Sequence, residues 1–111
     1  MPRFSPMPAP PYYAVIFSNQ MGEDAAGYSA MADLMVSKSA DQTGYIGIET
    51  TRDSDGFGIT VSYWESEEAI AQWREDAKHQ AAQMKGKMTW YDHYQLRVAK
   101  IERQYQGPEG R

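Results

Sequence analysis

The chain contains no cysteine. That excludes disulfides, thiolate metal sites, iron–sulfur clusters and a cysteine nucleophile, and a reducing cytoplasm is the compartment expected of such a chain. Histidine is nearly as scarce, with two residues, and the carboxylates are scattered, so no metal-ligand spacing emerges. No apolar run approaches the roughly 18 residues of a membrane-spanning helix. Positive charge is not in excess either: 11 Lys and Arg against 15 Asp and Glu leave −4 at pH 7, a balance that argues against a polyanionic partner. Gly44-x-x-Gly47 opens a strand rather than a helix, so it makes no phosphate cradle. No Gly-x-Ser-x-Gly elbow is present. The sequence therefore leads us to expect no cofactor and no metal, and neither nucleic acid nor membrane as a partner.

What remains is a chain of 111 residues, 41% hydrophobic and 13% aromatic, enough for one domain and too little for two. Residues 1–11 carry five prolines and no apolar signal-type core, and are expected to form a disordered or polyproline II leader. The domain proper is expected over 12–105, with a flexible tail at 106–111.

Hydrophobic periodicity orders the domain. Residues 12–18 are apolar on both faces, as in a strand covered on two sides. Asp24 caps an expected helix over 24–39, with Tyr28, Met31, Ala32 and Met35 on one stripe. Residues 45–52 and 57–64 alternate as strands around the hairpin loop Asp53-Ser-Asp-Gly56. The second of these carries Phe57, Ile59, Val61 and Tyr63 on one face, and Gly58, Thr60, Ser62 and Trp64 on the other. Ser66 caps a long helix whose apolar stripe is Ile70, Trp73, Ala77, Ala81 and Met84, ending at Gly86. Residues 91–105 form a last strand whose apolar phase changes after Val98, which predicts a bulge there. The order β-α-β-β-α-β specifies an α+β, ferredoxin-like fold: one antiparallel sheet with both helices on one face. The other face then needs a cover, and a second copy of the chain is the expected one.

Gly44-Tyr-Ile-Gly-Ile-Glu49, the run Gly58-Ile-Thr-Val-Ser-Tyr-Trp64, the segment from Glu65 to Trp73, and Lys78-His79 together resemble an antibiotic biosynthesis monooxygenase (ABM) domain. The resemblance continues through Trp90-Tyr91 and 97–105. It implies a dimeric α+β barrel, in a family that holds cofactor-independent oxygenases of polycyclic phenols, haem-degrading oxygenases and small proteins without a known substrate.

Candidate site residues follow from chemistry and from that resemblance. Asn19 ends the first strand; it closes an Asx turn, or, as a matching Asn does in the haem-degrading branch, it reaches a pocket where its amide donates to a phenolate or to bound oxygen. Trp73 and Trp64 are core aromatics or the walls of a substrate site. His79 is the one near-neutral base on the second helix; a straight helix puts it on the polar face, while a break near Asp76 turns it inward. Arg74 is either a solvated helix residue or a partner for an anionic substrate. The phenols of Tyr28, Tyr63, Tyr91 and Tyr94 orient a substrate or serve core and interface; His93 is expected at the surface. The haem-degrading branch has its iron ligand where this chain has Gln83, which argues against axial haem ligation. The function expected is cofactor-independent oxidation of a phenolic or enolic aromatic by O₂. His79, Asn19 and Arg74 would be catalytic, and Trp64, Trp73, Tyr28, Tyr91 and Tyr94 would bind the substrate. The alternatives are a non-catalytic ligand-binding dimer and a haem-binding or haem-degrading protein.

Overall fold

A computed structural model describes residues 3–22, 40–83 and 91–108, with 78–83 and 91 as backbone only. Four strands, β1 (Tyr12–Met21), β2 (Tyr45–Arg52), β3 (Phe57–Trp64) and β4 (Tyr91–Ile101), and one helix, α1 (Glu67–Gln83), make up its regular structure. The strands form one sheet in the order β2-β3-β1-β4, with every pair antiparallel. This is the ferredoxin-like sheet that the periodicity specifies. The helix expected over 24–39 lies outside the described residues. Among the described residues no helix is long and apolar enough to cross a membrane.

The local signals act as their chemistry dictates. In the β2–β3 hairpin Asp53 Oδ1 accepts from the backbone N–H of Asp55 (2.9 Å) and Phe57 (3.0 Å), and Gly56 takes φ +90°. That conformation strains any residue with a Cβ, which is why the loop ends on glycine. At the start of α1, Ser66 Oγ accepts from Ala69 N at 3.1 Å, while Glu67 and Glu68 face the positive end of the helix dipole. The helix lays Ala69, Ile70 and Trp73 on Val15 and Trp64, and this cluster is the core.

Strand register sorts every side chain to one of two faces. Trp64, Ser62, Thr60 and Gly58 of β3 lie beside Tyr13, Val15, Phe17 and Asn19 of β1. Because Val15 and Trp64 pack under α1, the small and polar side of β3 is the one that faces the helix. Its bulky side, Phe57, Ile59, Val61 and Tyr63, faces away. The bulge expected near Val98 is not there: β1 and β4 pair without a break from Tyr12↔Ile101 to Gln20↔His93, and the irregularities fall at Gln20/Met21 and at Tyr45/Gly47. The apparent change of phase has another cause. Val98 shares the helix side with Val15, whereas Ala99 pairs with the buried Ala14 on the opposite side, so both faces of this strand carry apolar residues without any slip.

One end of the second face is covered by the chain's own head. Ser5 N donates to Glu49 Oε2 (2.9 Å) on β2, and the Pro8 carbonyl accepts from Gln104 Nε2 (2.7 Å) beyond β4. The head, read from its prolines as a leader, thus spans the sheet from edge to edge above Tyr12 and Tyr63. Tyr12 bonds Gln104, and Tyr63 Oη donates to Glu49 Oε1 at 2.8 Å. At the other end of this face Phe57 is 45% and Ile59 37% exposed.

The Tyr63–Glu49 contact makes stability pH-dependent. Burial, then the hydrogen bond to the Glu49 carboxylate and its charge, push the Tyr63 pKa up to about 12 from its ordinary value of 10. The neutral phenol is favoured in the fold, so its contribution is whole below pH 10 and is lost as pH rises from there toward 12. Thermal melting across that interval should show a falling midpoint. Tyr63→Phe should flatten the fall, and an unchanged slope would assign it to other groups.

Candidate functional site

On the helix side the sheet is a grid of four cross-strand rows, about 7 Å apart along the strands. Arg52, Gly58, Asn19 and Tyr94 form the first; Thr50, Thr60, Phe17 and Leu96 the second. Ile48, Ser62, Val15 and Val98 form the third, and Tyr45, Trp64, Tyr13 and Lys100 the fourth. The last two rows carry the core. There Trp64 is fully buried, packed edge-on to Tyr45 (5.6 Å) and tilted against Trp73 (5.4 Å), with its Nε1 donating to Ser62 Oγ at 2.9 Å. Where they cross β2 and β3, the first two rows carry polar or absent side chains: Arg52 and Gly58, then Thr50 and Thr60. Thr50 and Thr60 share a hydroxyl hydrogen bond of 2.7 Å, and Gly58 has no side chain at all.

Asn19 is the chemically unusual member. It is 2% exposed, and a buried amide needs partners. Arg52 Nη2 donates to its Oδ1 at 2.7 Å, while Arg52 Nη1 donates to the Gly56 carbonyl at 2.6 Å. Among the described residues Asn19 Nδ2 reaches only the Phe17 carbonyl, at 3.4 Å. The guanidinium lies over Gly58: a Cβ added there would come within 2.8 Å of Arg52 Cζ and 2.9 Å of Nη1. The absent side chain is what lets the arginine cross β3 to reach β1. A second polar atom stands out beside the core. Trp73 Nε1 is buried and has no hydrogen-bond acceptor among the described residues.

The expected site residues therefore fall into separate groups. Asn19 and Tyr94 are register partners in one row, with Tyr94 55% exposed and its ring 5.5 Å from that of Phe17. Trp64 and Trp73 are in ring contact at the other end of the same face. Arg74 is exposed and lines a shallow groove with Glu67, Ile70, Ala71 and Val98, on the β4 side of the helix and away from the Asn19 row. The break considered near Asp76 is not there, because α1 runs as one helix from Glu67 to Gln83; His79 lies on it and Tyr91 opens β4, but their side chains, like that of Gln83, fall outside those described, and Tyr28 lies outside the described residues altogether. His93 is exposed and pairs with Gln20, so it belongs to the sheet's other face. Arg52, Gly58 and the Thr50–Thr60 pair were missed at the level of sequence. A signal was present: the hairpin loop sets Arg52 opposite Gly58, and the alternation Gly58-Thr60-Ser62 marks a strand face built to leave room.

Among the described residues no group of three or more His, Cys, Asp or Glu could hold a metal ion. The cluster as it stands offers hydrogen-bond donors, a fixed positive charge one bond away, and aromatic surface. Those are the elements for holding a planar molecule that carries a negatively charged oxygen.

Comparison with known proteins agrees with this architecture. The sequence profile of the antibiotic biosynthesis monooxygenase family matches residues 11–85. YqjZ, an uncharacterized protein of Bacillus subtilis, is 54% identical over 100 residues, spanning 90% of this chain and 88% of its own length. Among solved structures, Rv0793 from Mycobacterium tuberculosis superposes with a TM-score of 0.65 at 16% identity, covering 79% of this chain and 92% of that one. SnoaB, a cofactor-independent oxygenase from Streptomyces nogalater, does so with a TM-score of 0.64 at 11% identity, covering 79% and 90%. The two structures share the fold; the profile match and the YqjZ likeness carry the kinship. The chain belongs to the antibiotic biosynthesis monooxygenase family.

Proposed function

We propose that the protein is a small-molecule monooxygenase that oxidises a phenolic or enolic aromatic with O₂ and needs no added flavin, haem or metal. The observation that carries this reading is the buried Asn19, whose amide oxygen is occupied by Arg52 and whose Nδ2 makes, among the described residues, one long bond. An ionised phenol or enol is electron-rich enough to pass an electron to O₂, and stabilising that anion in a dry site is what the protein has to supply. Recombination places one oxygen atom on the substrate carbon; the other leaves as water, taking two hydrogens from the substrate. The small side chains of Thr50 and Thr60, in the row next to Asn19, provide the floor on which a flat ring system would lie. Family membership, and the fold shared with the cofactor-independent oxygenase SnoaB, support the reaction class.

The second copy expected from the sequence belongs to the same proposal. The apolar end of the outer face, with Phe57 and Ile59 exposed, is the surface on which it would sit. Sedimentation should give twice the chain mass at micromolar concentration; a folded monomer there would remove the dimer from the proposal.

The test of function is a panel of quinols, polycyclic phenols and enols, assayed in air and under anaerobic conditions. At least one member should be consumed with stoichiometric uptake of O₂ and not at all without it. If the whole panel is left untouched, the protein is a binding module and not an oxygenase.

A further inference from the structure

We infer that Arg52 is a positioning residue for Asn19, and that the two together make the first row of the sheet selective for an anionic oxygen; the second half rests on the functional reading above. An asparagine side chain offers an acceptor on one side and two donors on the other, and an unrestrained one presents either to a ligand. Arginine carries donors only. The atom of Asn19 that lies 2.7 Å from Arg52 Nη2 must therefore be Oδ1, and Nδ2 is turned the other way. Its bond to the Phe17 carbonyl, at 3.4 Å, uses one hydrogen at the limit of the distance range, and the amide has two.

The guanidinium is itself held. It donates to the Gly56 carbonyl at 2.6 Å, in a hairpin loop whose shape is set by the Asp53 side chain, and it rests on Gly58, where a Cβ would meet three of its atoms within 3.0 Å. Two-point attachment across a strand needs a planar fork, and a lysine ammonium cannot make it. The charge also acts through the amide. A hydrogen bond from a cation to Oδ1 polarises the group and strengthens the donor at Nδ2. The row thus rejects a ligand that brings its own donor and takes one that brings a lone pair, best of all a phenolate or enolate.

Asn19 is the only asparagine in the chain, which gives the experiment a single reporter. The full-length protein labelled with ¹⁵N at the asparagine side chain has one NH₂ pair in its proton–nitrogen spectrum. The probes are 4-nitrophenol, at a pH where it is ionised, and 4-nitroanisole, its methyl ether. In the parent the pair should be well dispersed and should move on saturation with the nitrophenolate, and the ether should bind about tenfold more weakly or worse. Arg52→Met should shift the pair toward the position of a free amide and weaken the nitrophenolate by about tenfold or more. Arg52→Lys should fail to restore either. Gly58→Ala keeps the arginine but displaces it, so it should reproduce both effects and answers the question if Arg52→Met does not fold. An unmoved Asn19 pair in Arg52→Met and Gly58→Ala, with affinity within twofold of the parent, overturns the assignment of Arg52 while leaving the site. A parent that ignores both probes, with a pair that still moves in Arg52→Met, upholds the positioning and overturns the aromatic-anion reading instead.

Discussion

Trp64→Ala is expected to lower the free energy of unfolding by about 3–5 kcal/mol, the range for deleting a large aromatic from a core. Trp64 is fully buried, and its neighbours cannot close the gap: Val15 and Ser62 are fixed in the sheet by register, and Tyr45 and Trp73 each meet the indole from a different side. Removal also strands the Ser62 hydroxyl, which accepts from Trp64 Nε1 in a region where water does not reach. Against a total stability of roughly 5–15 kcal/mol for a domain of this size, the variant should be partly unfolded at 37 °C. Urea denaturation followed by far-ultraviolet circular dichroism measures the change. Tyr105→Ala, at an exposed position, is the control and should stay within about 0.5 kcal/mol of the parent. A Trp64→Ala loss below about 1 kcal/mol would mean that the core is not centred where the packing places it.

Asn19→Asp should separate chemistry from folding more cleanly than any deletion. The carboxylate has the shape of the amide and keeps an oxygen toward Arg52; its added attraction to the guanidinium offsets the lost bond to the Phe17 carbonyl, so thermal stability should be retained. In place of Nδ2, however, it puts a second oxygen that cannot donate and repels an anion. Turnover of whichever panel substrate the parent oxidises should fall by about 10²–10³-fold in kcat/KM, the usual consequence of removing one donor to a developing oxyanion. A fall in activity with an unchanged melting midpoint is the expected pair of results. Activity within about threefold of the parent would remove Asn19 from the mechanism and with it the observation on which the functional reading stands.

How much of this could be read in advance differs from residue to residue. The hairpin at Asp53–Gly56 and the Ser66 cap were legible because each is a local contract: a carboxylate or hydroxyl satisfies backbone N–H groups two to four residues away, and no distant partner is needed. Asn19 was legible as a candidate only through the family resemblance and its expected place at a strand end, which β1 in fact passes, running on to Met21. Its chemistry was not, since that depends on Arg52, which lies 33 residues further along the chain. The expected bulge at Val98 failed for a related reason. Alternation reports which side chains are apolar, and it cannot distinguish a slip in register from a strand that is covered on both sides.

The sequence by itself determined the strands, their hairpin, the helix that follows them and the ferredoxin-like order, because periodicity and capping act within a few residues and a β-α-β-β-α-β order admits few packings. Its resemblance to ABM domains also reached the family. Only the tertiary structure decided which side of β3 lies under the helix, and it chose the small and polar one. Only there does it become visible that the proline-rich head shares the outer face, and that Gly58 is bare so that an arginine from β2 can fasten an asparagine on β1. These are contacts between residues whose spacing in the chain carries no information about their distance. They arise when strand register brings side chains from four strands into one row, and register is a property of the assembled sheet.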